Sequence, residues 1–172
     1  MKTKFSHRTL NRAILSVITL GTHCNADSST SIINVSATVG YSCSMDTSPM
    51  TFGVYDGLVA NASTNLEATA TVISTCTSGA AALITMNEGT SAGSDSAGAP
   101  VRRMTAGQGK YLDYQVYSDV ARDTVWGNSA PTGVALTGTG VPQSLTVYGS
   151  IPSAQIVPEG DYSDQIYVTI IY

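Results

Sequence analysis

The chain has 172 residues, a formal charge of −4 and two histidines, His7 and His23. Four of its eight basic residues, Lys2, Lys4, Arg8 and Arg12, crowd the first twelve positions, while all twelve acidic residues lie at Asp27 or later. Without that basic end the chain keeps four basic residues against twelve acidic ones, a balance of −8 that argues against nucleic acid or an anionic membrane as partner.

The start reads as a secretory leader. After the basic stretch comes "AILSVITLG" (Ala13 to Gly21), an apolar run too short to span a bilayer, then "THCNA" with small residues Cys24 and Ala26 suited to cleavage. The alternatives are a short packed N-terminal helix or a lipid anchor at Cys24, where His23 occupies a position that normally wants a small residue. Cleavage after Ala26 leaves 146 of the 172 residues, one ordinary domain. Both histidines leave with the leader, so no Ser-His-Asp or Cys-His catalysis and no histidine metal ligand is expected. Cys43 and Cys76 remain as a single pair, and in an exported chain they most simply form one disulfide. A reactive thiol pair fits less well, for want of C-x-x-C spacing and nearby basic residues.

Beyond the leader no helical period survives. Ile33, Val35, Ala37, Val39 and Tyr41 alternate with Asn34, Ser36, Thr38 and Gly40, which predicts a period-two strand leading into Cys43. Leu66, Ala68, Ala70, Val72, Ser74 and Cys76 share one parity of a second strand over 64–77, and 80–87 predicts a third. "EGTSAGSDSAGAP" (Glu88 to Pro100) reads as an exposed loop. "YLDYQVYS" (Tyr111 to Ser118) is a further strand, with Leu112, Tyr114 and Val116 on one face and Tyr111, Asp113, Gln115 and Tyr117 on the other. "APTGVALTGTGVPQ" is loop with a short strand, and 144–151 and 162–172 supply the last two strands. Six or seven short strands, turn-separated and joined by one disulfide, predict an all-β sandwich, with a barrel as the structural alternative.

Chemistry is sparse. A glycosidase needs two convergent carboxylates, but Asp161 and Asp164 flank a turn and point to opposite faces in strand geometry. They, like Asp119 and Asp123, read as turn and surface acids that keep an exported protein soluble. "GSDSAG" lacks the ligand density of a calcium loop. Asp119 and Arg122 are placed to pair and fix the corner before Trp126, whose ring has a second reading as a platform for a sugar. No catalytic residue, metal or cofactor is expected.

The run "RRMTAGQGKYLDYQVYSDVARDTVWGN" resembles the spore coat protein U family, the domain of subunits of archaic chaperone–usher pili. The matching residues are an Arg102-Arg103-Met104 turn, Tyr111, Leu112, Tyr114, Tyr117, Asp119, Arg122, Trp126 and Gly127. "FGVYDG" (Phe52 to Gly57), "VYGSIP" (Val147 to Pro152) and the closing "GDYSDQIYVTIIY" continue the likeness over nearly the whole chain after the leader, and the placement of both cysteines fits it. The resemblance implies an incomplete immunoglobulin-like β-sandwich lacking its final strand. It also implies partners: a periplasmic chaperone that lends a strand, an outer-membrane usher, and neighbouring subunits whose N-terminal segments replace the lent strand.

Two stretches fit that implication on their own pattern. Ile166, Val168, Ile170 and Tyr172 share one parity and would form the edge of an acceptor groove, filled from another chain by strand addition. Ile33, Val35, Ala37 and Val39 would be the donor strand, preceded by the polar "DSSTS". The division expected is a leader over 1–26, a donor segment over 27–42 running into the first strand, and a pilin domain over 43–172. Equally, 31–39 could be the first strand of a self-complete sandwich. On that reading the protein is a stand-alone secreted coat or carbohydrate-binding module; a tip adhesin or a small hydrolase fits less well. The expected role is structural, in a surface pilus supporting adhesion and biofilm formation.

Overall fold

The computed structural model describes residues 26–93 and 100–172. The expected leader, with His7, His23 and Cys24, lies outside the described residues apart from Ala26, and so does the 94–99 part of the small-residue loop. The chain divides into two units, Met1–Ala37 and Thr38–Tyr172. In the first, residues 26–37 are exposed and form neither helix nor strand.

The second unit holds eight strands among its described residues: β1 (Cys43–Thr47), β2 (Leu66–Cys76), β3 (Ala81–Met86), β4 (Arg102–Thr105), β5 (Tyr111–Tyr117), β6 (Val134–Thr137), β7 (Gln143–Ile151) and β8 (Val168–Ile171). A five-stranded sheet runs β1-β2-β7-β5-β4 and a three-stranded sheet runs β6-β3-β8, with every pairing antiparallel. This is the all-β two-sheet sandwich that the alternation predicts, with the Cys43–Cys76 disulfide joining β1 to β2 within the larger sheet.

Alternation decides which side chains meet between the sheets. Val72, Ser74 and Cys76 of β2, Leu112, Tyr114 and Val116 of β5, and Val147 of β7 are buried, while their odd neighbours such as Ile73 and Tyr111 stay accessible. From the other sheet Ile84 and Met86 meet them, and Trp126 fills the space beside them at 1% exposure. The Trp126 indole N–H donates to Ile84 O at 2.8 Å, which satisfies its one polar atom inside the core. A ring so buried offers no platform to a sugar.

Three expectations need correction. Residues 33–41 form no strand; the first begins at Cys43, where β2 supplies a partner, since Cys43 lies opposite Cys76. Alternation provides a face, but a strand also needs a ladder to join. The Arg102-Arg103-Met104 stretch is not a turn but β4, paired residue for residue with Leu112–Tyr114 of β5. Within 162–172, only Val168–Ile171 is regular strand. Ser163 makes a two-bond bridge to Thr105 of the larger sheet, whereas Val168 onward pairs with β3 of the smaller one. A segment that changes sheets cannot hold one continuous ladder.

The corner before Trp126 is also built differently. Arg122, held at φ 60°, pairs with Glu67 at 3.0 Å rather than with Asp119. The Asp119 carboxylate instead accepts the backbone N–H groups of Asp123 at 3.2 Å and Thr124 at 2.7 Å, which hold its pKa below the usual value. The Arg122 side chain is only 17% exposed and also donates to Gly149 O at 3.3 Å and Val120 O at 3.2 Å, so the turn rests on it together with the Asp119 caps.

Among the described residues Arg102 is the charged side chain that is fully buried, at 1% exposure. Its guanidinium donates to Asn87 O at 2.8 Å, Met86 O at 2.9 Å, Trp126 O at 2.8 Å and the Gln115 side-chain oxygen. Desolvation draws its pKa down to about 10, against the pull of Tyr114, Asp164 and Glu88, so it remains protonated at neutral pH. These bonds tie the end of β3 and the Trp126 turn to β4 and β5. Arg102→Met removes the fork and leaves three carbonyls without their donor. It should lower the unfolding free energy by about 3 kcal/mol or more, read from the urea midpoint. Replacing Cys43 and Cys76 together by Ala opens a loop of 33 residues and should cost about 3–4 kcal/mol in the same assay.

Candidate functional site

After β1 the chain leaves the sheet but is held close to it. Ser48 N–H donates to Thr71 O at 2.9 Å, and Ser48 Oγ accepts the Thr71 N–H at 2.8 Å. Further on, the Tyr55 hydroxyl donates to Pro152 O at 2.7 Å and accepts the Gln155 N–H at 2.9 Å. Between these anchors Met50 and Phe52 lie across Gly149 of β7, where any Cβ would run into both side chains. A glycine there lets the 47–55 segment stand as a wall over the larger sheet.

The facing wall is 162–168, where Tyr162, Asp164, Ile166 and Val168 alternate inward. Between the walls is a cavity of about 300 Å³, floored by Val72, Met86, Met104, Tyr114, Val116 and Val147. A second cavity of about 570 Å³ shares Met50, Phe52, Met104 and Tyr162 with it and extends past Val157 to Glu159 and Asp161. The two form one groove opening into the core. Its wall ends in β8, which among the described residues is an edge strand paired only with β3.

One point on the wall is polar. Asp164 Oδ1 accepts the Thr90 N–H at 2.9 Å, the Thr90 hydroxyl at 2.9 Å and the Ser91 N–H at 3.1 Å. Its Oδ2 accepts the Tyr114 hydroxyl at 2.7 Å. Desolvation first, and the bond to Asp164 second, push the Tyr114 phenol far above its ordinary value. Asp164 is thus no surface acid; it ties the 88–91 turn, β5 and the wall together. Among the described residues no group of three or more His, Cys, Asp or Glu is placed to hold a metal ion.

The residues singled out in the sequence fall in different places. Ile166 and Val168 line the cavity. Ile170 does not line it and packs on both the main core and the small cluster of Cys76, Ala80 and Ala82, and Tyr172 is 57% exposed. Ile33, Val35 and Val39 are each at least 85% exposed, and Ala37 is exposed too. Asp164 and Tyr114 were missed as groove residues. Parity held the signal, since Asp164 shares the register of Tyr162, Ile166 and Val168. The opposite wall had none, because Met50 and Phe52 are placed by Gly149, about a hundred residues away.

The Spore Coat Protein U domain family matches residues 29–169. Protein U of Myxococcus xanthus is 36% identical over 155 residues, covering 86% of this chain and 87% of its own. Among solved structures, the CsuC–CsuE chaperone–tip adhesion subunit pre-assembly complex, from archaic chaperone-usher Csu pili of Acinetobacter baumannii, contains a similar chain. The TM-score is 0.55 at 16% identity, over 78% of this chain and 40% of that one, a likeness of fold.

The wall's polar tie has a pH signature. The folded state keeps the Tyr114 proton, whereas the unfolded chain releases it near the ordinary value of 10.0. The stability contributed by the neutral phenol is therefore intact below that pH and lost as pH rises beyond it. Tyr114→Phe should cost about 1.5–3 kcal/mol at neutral pH, where the bond to a carboxylate is lost. The gap between parent and variant, followed by urea unfolding, should hold up to about pH 10 and narrow as pH rises above it.

Proposed function

The chain belongs to the Spore Coat Protein U domain family, and from that membership and the open groove we propose that it is a non-enzymatic structural subunit of a chaperone–usher pilus. The observation that carries the proposal is the groove itself: a sandwich whose core is reached between 47–55 and 162–168, beside an edge strand with a free side. Apolar floor and unpaired backbone together suit an added strand. Backbone hydrogen bonds provide affinity and alternate side chains fill the cavity.

In this function a periplasmic chaperone first covers the groove with a strand of its own. At an outer-membrane usher the N-terminal segment of the next subunit displaces it, by donor-strand exchange, so that subunits link without covalent bonds. Residues 26–42, exposed and without strand, suit the donor: Ile33, Val35, Ala37 and Val39 alternate, and no residue from Ser28 to Ser42 is charged. The protein is exported through the periplasm and displayed on the cell surface, where the pilus serves adhesion and biofilm formation.

A second reading, a stand-alone coat protein, draws support from the description of the Spore Coat Protein U domain family, which matches residues 29–169. One deletion separates the two. Removing residues 27–37 from the exported chain should abolish fibres, seen by electron microscopy of sheared surface material, while the remaining domain is still recovered bound to the chaperone. Fibres of normal length from the deleted chain would overturn the donor assignment. A domain recovered free of chaperone that gains no stability from an added peptide of residues 27–42 would favour the coat reading.

A further inference from the structure

We propose that the Asp164–Tyr114 pair sets the register of the incoming strand by receiving its smallest inward side chain, Ala37 of a second copy of this chain. The inference rests on the donor-strand reading and goes beyond it by naming which residue meets which.

The wall presents four inward positions to the first cavity: Val168, Ile166, Asp164 and Tyr162. Ile170, the next residue of that parity, lines neither cavity and packs on both the main core and the Cys76, Ala80 and Ala82 cluster. The donor segment likewise offers four alternating apolar residues, Ile33, Val35, Ala37 and Val39. Each set covers seven residues, about 20 Å of extended chain. Matched antiparallel, four on four, Ile33 faces Val168, Val35 faces Ile166, Ala37 faces Asp164 and Val39 faces Tyr162.

Chemistry selects this alignment from its neighbours. Both oxygens of Asp164 are already engaged, Oδ1 by the 90–91 backbone and the Thr90 hydroxyl, Oδ2 by the Tyr114 phenol. A branched side chain pressed on that carboxylate would exclude water and return no hydrogen bond. A methyl group intrudes least. Slipping the donor by two residues either way places Val35 or Val39 on Asp164 and moves one donor side chain off the cavity wall. A parallel alignment also places Val35 there. The smallest donor residue and the one charged wall position coincide in a single register.

The test uses two full-length chains of different tag size, co-expressed in an exporting host and oxidised mildly. One carries Val35→Cys or Ile33→Cys; the other carries Ile166→Cys or Val168→Cys. Directly opposed residues of an antiparallel pair lie about 5.5 Å apart at Cα, within disulfide reach, whereas diagonal ones lie about 7–8 Å apart. The pairs 35–166 and 33–168 should give mixed-size dimers on non-reducing gels in roughly tenfold excess over 35–168 and 33–166. Dominance of 35–168 or 33–166 would overturn the register and leave donor-strand linkage standing. Absence of every mixed dimer would overturn both. In a second arm, Ala37→Leu in the donor should slow subunit exchange roughly tenfold, and Val35→Leu less than about threefold. Equal tolerance of the two changes would also overturn the proposal. Both arms change the donor or apolar wall positions and leave the Asp164–Tyr114 bond intact.

Discussion

Between Ser163 and Val168 the chain must leave one sheet and join the other, and the groove depends on how that crossing is held. Ser163 gives both its backbone groups to Thr105 at the edge of the larger sheet. Five residues later Val168 is paired with Met86 of the smaller sheet. The segment between them has no regular ladder; at its far end Tyr167 O accepts the Asn87 N–H at 3.1 Å and Tyr167 N–H donates to Asn87 Oδ1 at 2.8 Å. At its start Asp164 fixes the path through Thr90, Ser91 and Tyr114. Arg102 secures the other side by holding Met86 O and Asn87 O next to the point where β8 begins. A carboxylate and a guanidinium, each meeting several neutral partners, thus help fix this irregular wall of the sandwich. Buried charges of this kind add little net stability, since desolvation offsets much of their bonding. Their neighbours' geometry, however, has few alternatives that leave all those groups satisfied.

This division of labour explains what the sequence made legible. β2, β5 and β7 lie in the interior of a sheet with one face on the core, and a period of two is enough to find them. Leu112, Tyr114 and Val116 are buried as alternation requires. The pair of cysteines was equally plain, because an exported chain with two of them has one simple option. Elements decided by distant partners were not legible. β4 exists because β5 runs beside it, and nothing in Arg102-Arg103-Met104 announces a strand. Residues 33–41 have the strongest alternation near the N-terminus and form no strand, because pattern specifies a face and not a neighbour. Asp164 looked like a turn acid since it follows Gly160 and Asp161. Its parity with Ile166 and Val168 was the better guide, and a charge on an apolar parity marks a position the fold must satisfy internally.

The groove carries the same lesson in energetic form. An apolar floor reached from solvent and an unpaired edge strand are both liabilities for a protein that remains alone. Native sandwiches usually blunt such an edge with charge, proline or a bulge. Here the wall from Ile166 to Ile171 carries none of these. The 47–55 wall is held open by its own anchors, Ser48 on Thr71 and Tyr55 on Pro152, rather than collapsing across the floor. A gap maintained on both sides is easier to understand as a place for a strand than as imperfect packing.

Charge limits what kind of strand that is. Residues 27–172 carry twelve acidic and four basic side chains, so two copies repel at long range. At physiological salt that repulsion is screened beyond about 8 Å and leaves contact chemistry to decide. Glu159 and Asp161 rim the far cavity, and an acidic donor would be penalised there. The stretch from Ser28 to Ser42 has no charge to be repelled and none to be desolvated. It also has no cation with which to be steered or aligned. Without electrostatic guidance, register has to come from shape and from polar points in the groove. Only one inward wall position between Tyr162 and Val168 is charged, and its hydrogen bonds are already made. Selectivity at such a position works by exclusion, because an apolar side chain larger than a methyl group would cover the carboxylate without returning a hydrogen bond.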